Sequence, residues 1–284
     1  MRYVSFQVGG RATFGLARES GLVDLGARIG DQVADLRMLL DALDRGFELP
    51  PIDKGADYTA AEVTYLPVCV PRKLLCIGLN YEEHRKETGR DVVAHPTIFG
   101  RFADTLVGHD QPIVRPRAST DLDFEGELAV VIGRHAHQVP KAQALNYVAG
   151  YTCFNDGSIR DWQRHTSQFL PGKNFPSTAP LGPELVTPDE VGPLRDLRIE
   201  SRLNGTVMQQ ATLGEMIFPV EELIAYISAF TPLSPGDVIA TGTPAGVGWK
   251  RVPSLYMKPG DTIEVIIERV GHLRNGVVDE AARE

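Results

Sequence analysis

The sequence predicts an α+β fold dominated by strands. Strand signals fill the second half of the chain, helical periodicity is confined to short stretches, and no regular strand–helix–strand alternation points to a doubly wound sheet. At 284 residues the chain can bury a large core, as one big domain or as a main domain with an appendage.

Residues 2–8 and 12–17 have the pattern of short strands, and Val33 to Leu43 carries leucines and alanines at helical spacing. These form a small N-terminal α/β unit. The proline-rich patch Leu49-Pro50-Pro51-Ile52-Asp53 and the segment from Leu66-Pro67 to Pro71 bracket a connection, which sets a boundary near residue 68 and domains at 1–68 and 69–284. An apolar strand at Lys73–Leu79, a polar helix near Glu82–Glu87 and a strand around Ile98 follow. Further on, Leu197–Leu203 and Val207–Gln210 flank an Asn204-Gly205 hairpin turn, and two Pro-Gly-Asp turns precede strands at Val238–Thr241 and Thr262–Ile267. Val220–Phe230 is the main helix of this half.

A net charge of -8 argues against a nucleic-acid or anionic-membrane partner, since both need a basic stripe. The N-terminus lacks the apolar core of a signal peptide, and no run of about 18 apolar residues occurs, so a soluble, cytoplasmic protein is expected. Cys69, Cys76 and Cys153 are too few for a disulfide framework and read as reduced core residues.

Four acids alternate in Asp121-Leu122-Asp123-Phe124-Glu125-Gly126-Glu127, ahead of the apolar run Leu128–Ile132. One extended strand would point all four to the same face, where like charges repel unless a cation sits against them. A calcium hand fits Asp121, Asp123, Glu125 and Gly126 but needs Glu where Ile132 stands. A solvated strand face explains a pair of acids better than four. A hard ion such as Mg²⁺ or Mn²⁺ prefers such oxygen ligands, and no His/Cys cluster at zinc spacing competes. A further ligand can come from Asp156, where the apolar strand Tyr147–Phe154 stops at an Asn-Asp-Gly-Ser turn; an N-cap for a helix starting near Ser158 is the equal alternative. Arg160 and Gln163 would share a helix face and could bind a substrate carboxylate or carbonyl.

Gly78-Leu79-Asn80-Tyr81 with His84, Asp123 to Gly133, Phe154-Asn155-Asp156 with Arg160-Asp161-Trp162-Gln163, Gly172-Lys173-Asn174-Phe175, and Gly242-Thr243-Pro244-Ala245-Gly246-Val247-Gly248 stand in one order. Together they resemble the fumarylacetoacetate hydrolase family over about residues 70–272. The resemblance implies a β-rich, β-roll-like catalytic domain, one divalent ion per subunit held by Glu125, Glu127 and Asp156, and a homodimer. Asp121 and Asp123 then become neighbours of the site rather than ligands. It also implies a mobile lid carrying His84 and Glu87, three apart on one helix face, as a general base and its orienting carboxylate, and a lysine, Lys173, facing the metal, where it could bind an oxyanion. A lysine in such a loop is otherwise solvated, and the polar stretch around His84 could equally be an exposed helix. Thr243 would offer a hydroxyl and backbone N–H groups to a ligand carboxylate; its loop lacks the spacing of a nucleotide site and could be a plain tight turn.

Three carboxylates leave room on an octahedral ion for a 2-oxo acid to chelate, which favours enolate chemistry. Carbon–carbon hydrolysis of a 2,4-dioxo acid is the expected reaction: an acylpyruvate such as maleylpyruvate or fumarylpyruvate, or a 2,4-dioxo-3-deoxy sugar acid, releasing pyruvate or a related 2-oxo acid. Oxaloacetate decarboxylation or isomerisation is the enzymatic alternative. A metal-dependent sugar- or acid-binding module without turnover is the non-enzymatic one. The distal end of the substrate is expected to meet the lid, the N-terminal part and the segment around Phe99 and Arg101.

Overall fold

A computed structural model describes residues 1–52 and 55–282; Asp53, at the end of the proline-rich patch, and the last two positions of the predicted 69–284 domain lie outside the described residues. The architecture is a mixed, sheet-rich α+β fold. One path of strands runs Gly21–Asp24, Arg11–Arg18, Arg2–Val8, Ala179–Val186, Val148–Asn155, Gly126–Ile132, Val238–Ala240, Leu74–Gly78 and Thr97–Arg101. A five-stranded sheet of Thr206–Thr212, Arg198–Leu203, Thr262–Ile267, Gly271–Asp279 and Ile113–Arg115 packs beside it. The pairing of Arg2–Val8 with Ala179–Val186 joins the N-terminal strands to the large sheet.

The apolar run predicts a strand buried on both faces, and Gly126–Ile132 is buried throughout. Leu128, Val130 and Ile132 face a core shared with Ile199, Val265 and the helix Val220–Phe230. Ala129 and Val131 face a second core, with Tyr3, Phe14 and Leu39 from the N-terminal segment. Truncating Leu128 to Ala would cost about 2–5 kcal/mol on this packing. The double-sided strand holds Glu127, and Glu125 directly precedes it.

Two expectations change. The helix predicted from Val33 starts at Leu36, because the Asp35 carboxylate accepts the Met38 N–H at 2.6 Å and caps it there. The row of four acids is not one continuous strand: Leu122–Asp123 and Gly126–Ile132 are separate, with a break at Phe124-Glu125. At the break Asn155 Oδ1 accepts the Glu125 N–H at 2.9 Å and Gln209 Oε1 accepts the Gly126 N–H at 2.9 Å, side-chain oxygens standing where a ladder partner would be. The four acids therefore do not form one row: Glu125 and Glu127 converge, while Asp123 turns to Arg160 and to the backbone of Gly248 and Trp249.

Candidate active site

Strand register brings the three carboxylates together. Gly126 pairs with Asn155 and Glu127 with Phe154, and the Asp156 N–H donates to the Glu125 carbonyl at 2.8 Å. Glu125, Glu127 and Asp156 are buried, with carboxylate oxygens all within 4.8 Å of one another. Asp156 does not act as the helix N-cap. Ser158-Ile159 pairs with Leu122-Asp123, and the single helical turn Arg160–Gln163 begins after Ile159 without a side-chain cap.

Lys173 enters this cluster from the short helix Leu170–Lys173. Gly172 permits the approach: a Cβ there would stand 2.4 Å from the Gln163 nitrogen. Lys173 Nζ lies 2.7 Å from both Glu125 Oε2 and Asp156 Oδ2, and 5.3 Å from the centre of the Phe99 ring. Burial works against the ammonium, but Asp156 and Glu125 hold its pKa above the usual lysine range. The same pairing acts on Glu125: burial pushes its carboxyl up, and Lys173, Arg160 and His84 together outweigh that and hold it at about 2. Glu127 is driven well above the carboxylate range by burial and by the charges of Asp156 and Glu125, against which Lys173 and the Gly242 N–H, 2.8 Å from Oε2, are a partial offset. A buried all-oxygen donor set in which Glu127 has no ion-pair partner among the described residues fits a hard divalent cation.

His84 sits on the helix Glu82–Thr88, buried, with Nδ1 3.0 Å from Glu87 Oε2. The other Glu87 oxygen accepts the Gly246 N–H at 3.1 Å, docking the helix on the glycine-rich loop. His84, Glu125, Glu127, Lys173, Thr243 and Trp249 all line one cavity of about 750 Å³.

Residues 73–278 match the fumarylacetoacetate (FAA) hydrolase C-terminal family. The chain belongs to the fumarylacetoacetate hydrolase family. It is 45% identical over 221 residues to the mitochondrial oxaloacetate tautomerase FAHD2A of Bos taurus, an alignment covering 77% of this chain and 70% of that one. Among solved structures it superposes on fumarylacetoacetate hydrolase from Exiguobacterium antarcticum with TM-score 0.86 and 34% identity, covering 99% of this chain and all of the other. It also matches maleylpyruvate hydrolase from Sphingobium sp. SYK-6 in complex with manganese(II) and pyruvate, at TM-score 0.82 and 26% identity, covering 99% of this chain and all of that one. The family thus comprises enzymes acting on keto acids, and the buried acidic cluster here offers a donor set of the kind that could hold a divalent ion.

The remaining residues singled out in the sequence have mixed positions within this family fold. Arg160 lines the cavity but is heavily engaged: Nε donates to Asp123 Oδ2 at 2.8 Å and Nη1 to Gln163 Oε1 at 2.9 Å. Its Nη2 lies 2.7 Å from Glu125 Oε1 yet has no aligned hydrogen-bond acceptor, so that contact is electrostatic. Gln163 keeps its amide nitrogen without a partner among the described residues. Arg101 differs from expectation: it does not line the cavity but lies buried behind it, where its guanidinium donates to Asp156 Oδ1, to the Gly157 carbonyl at 3.0 Å and to Thr178 Oγ1 at 2.7 Å. Thr243 differs too, because its hydroxyl donates to the Gly126 carbonyl at 2.9 Å and accepts from Gln209 Nε2 at 2.7 Å.

Asn155 and Gln209 were not singled out in the sequence as supports. The adjacency of Asn155 to Asp156 was a usable signal; nothing local marks Gln209. Among the described residues no helix is long and apolar enough to cross a membrane, and the three cysteines are buried and free.

Proposed function

We propose that this chain is a metal-dependent enzyme that enolises a small 2-oxo acid, with oxaloacetate as the reading favoured by the 45% identity to a named oxaloacetate tautomerase. The observation that carries it is His84, oriented by Glu87 behind it, lining the same cavity as Glu125, Glu127 and Lys173. We assign Glu125, Glu127 and Asp156 to the ion, Mg²⁺ or Mn²⁺ by their oxygen donors. When bound, such an ion supplies Lewis acidity to the 2-oxo group of the substrate.

The chain's own side chains do the rest. Glu87 accepts the Nδ1–H of His84 and so leaves Nε2 free as the base that removes a proton from the carbon next to the ketone. Lys173 places an ammonium beside the oxygen on which negative charge develops. The Gln163 amide nitrogen, which has no partner among the described residues, is offered to the substrate carboxylate beside the Arg160 guanidinium. Delivery of that proton from His84 to the enolate oxygen gives the enol and completes the tautomerisation.

A second reading rests on the similarity to the maleylpyruvate hydrolase solved with pyruvate. There the same base takes a proton from water, which attacks the distal carbonyl of an acylpyruvate; the carbon–carbon bond breaks to release the distal carboxylic acid and pyruvate enolate, whose carbon takes the proton back from His84. The deciding experiment compares keto–enol conversion of oxaloacetate with pyruvate release from acylpyruvates, with Mg²⁺ or Mn²⁺ and after EDTA, against His84→Ala. Absence of metal-dependent, His84-dependent turnover of either class would sink the proposal.

A further inference from the structure

We infer that Arg164 forms a carboxylate subsite at the mouth of the cavity, which makes dicarboxylic 2-oxo acids the preferred ligands. This rests on the 2-oxo-acid reading and names its substrate class.

The cations deeper in the site are already engaged. Lys173 lies between Glu125 and Asp156, Arg160 is held by Asp123 and Gln163, and Arg101 is buried behind Asp156. Arg164, the residue after the Arg160–Gln163 turn, lines the cavity and is exposed, and it makes no hydrogen bond or ion pair from its side chain among the described residues. Exposure alone would make it a solvated rim residue.

What distinguishes it is a platform. Its Cζ stands 5.3 Å from the centre of the Trp249 ring, and Arg160 Cζ stands 5.8 Å from the same centre. The main chain that carries Trp249 is anchored, since its backbone N–H donates to Asp123 Oδ2 at 3.0 Å. Stacking on an aromatic face restrains a guanidinium without using its N–H donors. The fork of Arg164 therefore remains free for bidentate binding of a carboxylate, on the wall of the cavity that also carries Arg160.

Electrostatics agree with a dianion. In a chain of net charge -8, the cavity lining carries the cations Arg90, Arg160, Arg164 and Lys173 against the carboxylates Asp91, Glu125 and Glu127. An acidic protein that gathers cations around one cavity draws anions there.

The test is calorimetric binding to the Mn²⁺-supplied protein of two stable acids that differ only at the far end: 2-oxoglutarate, with a distal carboxylate, and 2-oxovalerate, with a methyl group. Wild type should prefer 2-oxoglutarate. Arg164→Ala should weaken 2-oxoglutarate about tenfold or more, the size expected for lost charge-assisted hydrogen bonds, and leave 2-oxovalerate unchanged. Arg164→Lys should recover part of the difference, and the melting temperatures should agree. Unchanged discrimination in Arg164→Ala, or equal loss for both acids, overturns the inference alone. If neither acid binds wild type, the 2-oxo-acid reading fails and takes this subsite with it.

Discussion

Arg160 Nε donates to Asp123 Oδ2 at 2.8 Å, and both side chains are buried. The same carboxylate accepts the N–H groups of Phe124 and Gly248 at 2.8 Å and of Trp249 at 3.0 Å. One residue therefore ties the acidic segment to the turn carrying Arg160 and to the glycine-rich loop that supports Glu87 and Glu127. Asp123→Ala leaves Arg160 Nε and two loop N–H groups without their acceptor and should cost about 1–3 kcal/mol in denaturant unfolding. Asp121→Ala, at a half-buried position, should stay within about 0.5 kcal/mol. Equal losses for the two variants would show that Asp123 is not the tie.

His84 and Glu87 separate base strength from binding. His84→Ala should lower turnover about 10²-fold or more while leaving metal affinity unchanged, as for loss of a general base. Glu87→Gln can still accept from Gly246, but its amide faces Nδ1 with a donor and reverses the imidazole tautomer. Turnover should therefore fall with little change in melting temperature, checked by steady-state kinetics beside thermal unfolding. Full activity in both variants would remove the pair from the mechanism.

Much of the site was legible because its residues sit at element ends in short, dense motifs: Glu125 directly precedes, and Glu127 lies at the start of, a strand whose apolar run continues to Ile132, and Asp156 directly follows the strand paired to it. What escaped depends on partners far apart in sequence. The break at Phe124-Glu125 exists because Asn155 and Gln209, 30 and 83 residues from their bonding partners, supply the acceptors. Arg101 read as a substrate residue because its ion pair with Asp156 spans 55 positions and leaves no local trace. Thr243 carries no sign that its hydroxyl closes onto Gly126, 117 residues away. Arg164 and Trp249 meet only in three dimensions.

The cysteines give a probe of global unfolding. Burial pushes the Cys69 and Cys153 thiols up to about 12 and raises Cys76 well above its ordinary value. Thiolates are the reactive form, so none of the three should react with Ellman's reagent at pH 8 in the native state, and all three should react in denaturant. Rapid labelling of any of them in the native protein would contradict their enclosure.

His109 sets a pH dependence remote from the acidic cluster. Its Nδ1 accepts the Arg274 N–H at 3.1 Å, its ring meets Tyr65 edge-on at 5.3 Å, and burial, its largest influence, holds its pKa below 6.5 despite the nearby Asp110. A histidine whose folded pKa is depressed binds protons more readily when unfolded. Its contribution to stability is therefore complete above about pH 6.5 and is lost as pH falls through that value toward the folded pKa. The melting temperature of wild type should accordingly decline between pH 7.5 and 5 more steeply than that of His109→Asn, which keeps a hydrogen-bond acceptor but cannot take up the proton. Parallel curves for the two proteins would mean that protonated His109 is accommodated without disturbing the Arg274 contact.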